Sequence, residues 1–475
     1  MQQRWFRGRV WLIAFAAAAT ATLHAQRGPT PEFERLRLYE GTYEAEGGGT
    51  LELLASPREN ALVAVVGGGR YPLKAAGGDL FVDATGRRVR LSLEKGQEGY
   101  TLLDGGDAGR LFRRVGPAPP FDERVWFPRP PSNLGYRYAP PAPRADGLEV
   151  GRVEGPPLDA ARLQQMGEAL AGGQHPDVHS VLIAHRGRLL YEEYFYEYDP
   201  NTPHPLRSAT KSVVSALVGL AIAQNKLELR QPILPFFTDE YPTVANLTDG
   251  KRKITIEHLL TNRSGLDCDD WNRASPGHEV KMGLSDDWAR FILDLPMRSE
   301  PGTSASYCSG GVILLGRIVE KVAAQPLETF ARRHLFEPLG IHNWDWRFDP
   351  DRSSINTVCQ LSLTPRDMVK VGLLYLNRGR WQGRQILPAA WVDASLERHT
   401  SLGDTEYGYL WWRPYLQVAG GRHHGYMATG NGGQKIFLWP ALDLVVVMTG
   451  GNYNTQSPSN TLAIKYILPP LEAKP

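Results

Sequence analysis

The chain has 475 residues, of which 42% are hydrophobic, 22% charged and 10% aromatic. That is ample for folded cores in more than one structural unit, and it excludes a disordered, collagen-like or coiled-coil protein. The 53 Lys and Arg against 51 Asp and Glu leave a net charge of +2, too weak a field to expect nucleic acid or anionic lipid as a partner. Three cysteines with no CxxC or Cys/His spacing give neither a disulfide scaffold nor a metal site, so no metal and no cofactor is expected.

In chain order, Arg4, Arg7 and Arg9 precede an uncharged stretch from Val10 to Leu23, and Ala25 offers the small residue that a signal peptidase requires. The apolar part, about 14 residues, falls short of the roughly 20 that a membrane helix needs. Residues 1–25 therefore read as a signal peptide, and an exported product, periplasmic or secreted, is expected without stable membrane insertion. Within residues 26–116, positions 36 to 115 alternate apolar and polar in short runs such as GTYEAE, NALVAVV and RVRLSLE, punctuated by Gly-Gly, Gly-Asp and Thr-Gly turns. This pattern predicts a small all-β domain, an antiparallel sheet or barrel. Residues 117–147 are too rich in proline for regular structure and read as a stiff linker.

From residue 148 to 475 helical and strand patterns mix. Asp159 to Ala171 places Leu163, Met166 and Leu170 on one helix face and stops at Gly172-Gly173. Val178–Ala184 and Leu189–Phe195 form a hairpin, Gln434–Trp439 and Leu442–Met448 form another, and Asn460–Leu468 suits a closing helix. Strands at both ends around a mostly helical middle predict an α/β domain of the α+β type, one antiparallel sheet flanked by helices with a mostly helical subdomain.

Ser208-Ala209-Thr210-Lys211 opens an apolar helical run, and Pro203 and Pro205 forbid an earlier start. Three residues is close to one helical turn, so Ser208 and Lys211 share a face. A serine hydroxyl is a poor nucleophile until a base takes its proton, and a lysine in a dry pocket favours the neutral form that can do so. Ser92-Leu93-Glu94-Lys95 has the same spacing but lies in a charged strand pattern, and reads as solvated surface. Two further segments accompany the Ser208 copy. Pro301 to Gly311 is a small-residue loop carrying Tyr307 and Ser309, and Ala428-Thr429-Gly430-Asn431-Gly432-Gly433 leads into a strand where glycines admit close approach to the backbone. His204 also precedes Ser208, but its proline-bounded loop gives it no reason to face the hydroxyl. The G-x-S-x-G elbow of another hydrolase class is absent from the sequence. Asp267, Asp269 and Asp270 read as a solvated acidic loop. Of Trp411 and Trp412, neighbours on a strand, one faces the core and the other is free to face substrate; the pattern leaves open which.

In their order and intervals these elements resemble the penicillin-recognising serine hydrolases: class C β-lactamases, serine D,D-peptidases, related esterases and 6-aminohexanoate-dimer hydrolases. The resemblance runs from Leu148 to Leu468 and includes His258-Leu259-Leu260-Thr261-Asn262-Arg263-Ser264-Gly265-Leu266 and Tyr407-Gly408-Tyr409-Leu410-Trp411. It implies Ser208 as the acylated nucleophile, Lys211 as its base and Tyr307 as proton relay to the leaving group. Backbone N–H groups of Ser208 and Asn431 would form the oxyanion hole, with Ser309 and Gly430 at the substrate. The expected activity is cleavage of a small-molecule amide or ester, favoured over a D,D-peptidase or β-lactamase on cell-wall-related substrates and over an inactive binding or sensor protein that keeps the fold. Ala428 stands where enzymes that turn over penicillins carry Lys or His, so a substrate carboxylate loses an anchor unless Lys435 supplies one. The resemblance also places Cys268 and Cys308 in loops bordering the site. A disulfide between them and a set of three reduced thiols are equally compatible with the sequence. All family-like segments lie beyond the linker, so the β domain is expected to fold by itself and to carry none of the chemistry.

Overall fold

A computed structural model describes residues 31–118, 124, 128–129, 135–347 and 360–471, apart from short stretches between the first strands (46–49, 57–60, 67–68, 84–87, 97–98 and 105–109). The signal-peptide reading and Cys359 fall outside the described residues.

The alternating runs of the N-terminal region form eight strands: β1 (Gly41–Ala45), β2 (Thr50–Ala55), β3 (Ala61–Val66), β4 (Gly69–Gly77), β5 (Leu80–Asp83), β6 (Arg88–Gly96), β7 (Gly99–Asp104) and β8 (Arg110–Gly116). Each pairs antiparallel with the next, and β1 pairs with β8, so the sheet closes into a barrel with no free edge. Period-two burial puts Tyr43, Leu53, Leu62 and Phe81 inside, and the short helix Pro31–Arg37 adds Leu36 to the same core. Ser92 lies on β6, in the barrel wall.

The second unit is a nine-stranded sheet. Its strands are β9 (Glu149–Val150), β10 (Val178–His185), β11 (Arg188–Tyr194), β12 (Thr400–Leu402), β13 (Thr405–Tyr407), β14 (Trp412–Arg413), β15 (Tyr426–Gly430), β16 (Gln434–Trp439) and β17 (Leu444–Gly450). Their order is β12-β13-β14-β15-β16-β17-β10-β11-β9, antiparallel except for β9 beside β11. The N-terminal hairpin thus sits next to β17 because strands from both chain ends share one sheet. One face packs on α1 (Ala160–Ala171) and the C-terminal turns around Leu462–Ile467; the other packs on α2 (Thr210–Ala223) and α4 (Pro365–Leu376), with α3 (Ser309–Ala323) lying against α2. Asp159 caps α1 by accepting from the Ala161 and Arg162 N–H groups.

The proline-rich segment is not a free spacer. Tyr136 fills the notch left by Gly167, where a Cβ would lie 2.0 Å from its ring, and its hydroxyl donates to Glu193 at 2.7 Å. Tyr138 stacks on Tyr191 and donates to the Leu190 carbonyl at 2.6 Å. Asp146 pairs with the buried Arg366 at 2.5 Å. Tyr136, Tyr138 and Asp146 therefore pack on the second unit although the composition around them reads as linker.

Candidate active site

Ser208 lies in the 3-10 turn Arg207–Ala209 that runs directly into α2. The strand-like His204-Pro205 is held to Leu363 and Ser362, and Arg207 takes a left-handed φ of 51°, so the chain turns sharply at the residue before the serine. Lys211 falls in the first turn of α2, nearly fully buried, and its Nζ donates to Ser208 Oγ at 2.9 Å.

Tyr307 reaches the same spot from the loop before α3, with Lys211 Nζ 5.0 Å from its ring centroid. Burial pushes its phenol above the ordinary value of 10, while the charge of Lys211 and hydrogen bonds with Ser208 and Lys211 pull it down. Asn262, itself at φ 56°, fixes this loop: its carbonyl accepts from Ser306 N–H at 2.9 Å and its Oδ1 from Cys308 N–H at 3.1 Å. Sequence reasoning placed Asn262 within a family-like segment without giving it a role. The signal available was a residue tolerant of left-handed backbone in the middle of that segment. A disulfide joins Cys268 to Cys308, and Ser306 Oγ donates to the Cys268 carbonyl at 2.7 Å, tying the Tyr307 loop to the 267–271 loop.

That second loop is not simply solvated. Asp270 accepts from Ser309 N–H at 2.6 Å and from Glu279 N–H at 2.9 Å, and burial, then Glu279, raises its carboxyl above 3.8 while Lys211 opposes the rise. The acidic-surface reading of Asp270 is thus corrected: it braces the N-terminus of α3, where a carboxylate is favoured. Ser309, expected at the substrate, is fully buried and donates its hydroxyl to Glu279 at 3.0 Å. Its side chain holds the loop rather than lining a groove. Among the described residues there is no group of His, Cys, Asp and Glu suited to a metal ion.

Trp411 and Trp412 separate cleanly. Trp411 is fully buried against Tyr375, with ring centroids 4.5 Å apart, whereas Trp412 lies 5.7 Å from Tyr307. Trp271, 59% exposed, stacks on Tyr307 at 5.4 Å. An aromatic wall therefore flanks the phenol.

The third segment approaches from the sheet. A Cβ on Gly430, the last residue of β15, would lie 2.1 Å from the Leu206 carbonyl oxygen, so only glycine lets this strand end touch the nucleophile turn. Asn431 follows, exposed, its side chain paired with Asn454 through contacts of 2.8 Å in both directions. Ala428 points into the core shared with Leu206 and Tyr307, while its neighbour Met427 belongs to the opposite core. Thr429 and Lys435 are cross-strand partners one position on from Ala428 and Ile436, so they face the Met427 side, and Lys435 donates to Thr429 Oγ1. Burial lowers Lys435 from 10.5 to about 8. Lys435 therefore does not stand in for the cation missing at Ala428. His204 is occupied elsewhere too, its ring nitrogens facing His179 Nδ1 at 2.8 Å and the Pro205 carbonyl at 3.2 Å.

The Beta-lactamase family profile matches residues 163–465, the stretch that carries Ser208, Lys211, Tyr307 and the strand end at Gly430. The chain belongs to the β-lactamase family. Its curated relatives include a 6-aminohexanoate-dimer hydrolase of Paenarthrobacter ureafaciens, 24% identical over 56% of this chain and 71% of that protein. The esterase EstB of Burkholderia gladioli is 28% identical over 37% of this chain, which spans 48% of the esterase. A solved structure of a putative 6-aminohexanoate-dimer hydrolase from Bacillus anthracis shares the fold with a TM-score of 0.52 at 19% identity, covering 71% of this chain and 86% of that one. The protein is a β-lactamase-fold hydrolase, and the shared fold accounts for the antiparallel sheet with helices on both faces.

Proposed function

We propose that this β-lactamase-family protein is an exported serine hydrolase that cleaves a linear amide or ester through an acyl-enzyme on Ser208. The observation that carries the reading is the 2.9 Å contact between Lys211 Nζ and Ser208 Oγ, with the Tyr307 ring centroid 5.0 Å from the same Nζ. Neutral Lys211 takes the Ser208 proton as Oγ attacks the carbonyl carbon, and the negative charge that develops on the carbonyl oxygen is met by the N–H groups of Ser208 and Asn431. Tyr307 gives its proton to the departing nitrogen or oxygen as the C–N or C–O bond breaks and regains one from Lys211, which thereby passes on the Ser208 proton, and water then releases the acyl group by the reverse proton path. No metal or cofactor takes part in this sequence. The aromatic wall of Trp271, Tyr307 and Trp412 suits an apolar, uncharged substrate. The position of Lys435 on the other side of the sheet favours such substrates over carboxylate-bearing β-lactams. Export agrees with a formed disulfide, which persists in oxidising compartments.

Mass spectrometry after fluorophosphonate labelling, together with turnover of p-nitrophenyl esters, short amides and a chromogenic cephalosporin, tests this reading. The tag is expected on Ser208, with Ser208→Ala losing label and turnover, Ser92→Ala keeping both, and ester cleavage exceeding cephalosporin cleavage. A tag on another serine, labelling without turnover of any substrate, or a cephalosporin preference would refute it.

A further inference from the structure

The eight-stranded barrel touches the candidate site. Tyr71 of β4 packs on Tyr453, with ring centroids 5.6 Å apart and planes at 36°. Tyr453 is nearly fully buried, and its ring carries the Arg207 guanidinium carbon 4.7 Å from the centroid. Arg207 is the residue before Ser208. The same ring also limits the glycine turn after β15, since a Cβ at Gly432 would come within 2.7 Å of it. On either side of Tyr453, Asn452 N–H donates to the Gly432 carbonyl at 3.0 Å and Asn454 N–H donates to Asn431 Oδ1 at 2.8 Å. Tyr453 is thus a wedge between the turn that holds Ser208 and the turn that holds Asn431, and one side of the wedge is closed by a residue from the other structural unit.

We propose that the barrel completes the catalytic frame: Tyr71, as a positioning residue, seats Tyr453 and so fixes the separation of the Ser208 and Asn431 N–H groups. The inference rests on the oxyanion assignment proposed above. It reverses the expectation that the barrel carries none of the chemistry. Donors aimed at a developing oxyanion act through their placement, and displacements of a fraction of an ångström reduce the rate of the chemical step more than the binding of substrate.

The test compares wild type, Tyr71→Ala and Tyr71→Phe in the full chain, with kcat for a p-nitrophenyl ester normalised to the sites titrated by a fluorophosphonate. Tyr71→Ala is expected to lower kcat roughly tenfold with KM changed less than about twofold, and Tyr71→Phe, which keeps the ring, to retain at least about half of the wild-type rate. Tyr453→Leu serves as a second variant and should show the same split between kcat and KM. Normalisation to titrated sites removes any loss of folded protein from the comparison. Wild-type kcat in Tyr71→Ala, an effect confined to KM, or a Phe variant as slow as the Ala variant overturns the bracing role. Absence of label on Ser208 in the wild type instead refutes the acyl-enzyme reading, and the bracing role with it.

Discussion

Replacing both Cys268 and Cys308 with alanine should separate stability from catalysis. The bridge joins residues 40 apart in sequence, and the chain-entropy relation for a closed loop of about 40 residues gives about 4 kcal/mol at 25 °C, within the 2–5 kcal/mol typical of native disulfides. For a cooperative unit the size of the matched region, residues 163–465, ~2.1 cal/mol/K per residue gives an unfolding entropy of ~0.6 kcal/mol/K, so the melting midpoint should fall by ~6 °C. Catalysis should suffer much less. The Tyr307 loop remains held by Asn262 at Ser306 and Cys308, and by Asp270 N–H donating to the Tyr307 carbonyl at 2.9 Å. At 25 °C kcat per titrated site should therefore fall by less than about threefold. Calorimetry and steady-state kinetics on the double variant decide the matter. A midpoint within ~2 °C of wild type would refute the loop-closure reasoning, and a hundredfold loss of kcat without a stability change would show that the bridge itself aligns Tyr307.

Two further outcomes concern pH. His204 is fully buried and held neutral, its value lowered from 6.5 to about 4 chiefly by burial; this contributes about 3 kcal/mol of stability that is present above pH 6.5 and lost as pH falls through about 4. His204→Phe, which keeps a ring beside Tyr198, should show a correspondingly smaller difference in unfolding free energy between pH 7 and pH 4, and an unchanged difference would contradict the assignment. Asp270 is shifted in the opposite sense, above 3.8 through burial and Glu279, so its contribution is fully present below that value and lost as pH rises through the raised folded one. Glu279→Gln removes the like charge yet can still accept from Ser309 Oγ, and should raise stability more at pH 8 than at pH 4. Parallel stability curves in the two proteins would disprove the coupling.

The sequence determined what depends on short range. Alternation at period two specified the barrel strands, since each residue's face follows from its position parity. The three-residue spacing placed Lys211 over Ser208, since one turn of helix fixes that geometry wherever the helix lies. The hairpin around His185–Arg188 was legible for the same reason. The tertiary structure decided what depends on elements distant in the chain. The sequence put Trp411 and Trp412 on one strand, whereas Trp411 precedes β14 and only its packing on α4, through Tyr375, makes it the buried one. Ser309 and Asp270 looked like a substrate contact and a solvated acid because nothing local shows that Glu279 closes over both. Tyr136 and Tyr138 sit in a segment whose prolines deny it regular structure, yet prolines say nothing about what the intervening aromatics touch. The contact of Tyr71 with Tyr453 joins two units whose patterns are each complete without the other. A hydrophobic pattern records which face of an element is buried, and the partner that buries it is set by the three-dimensional arrangement of the whole chain.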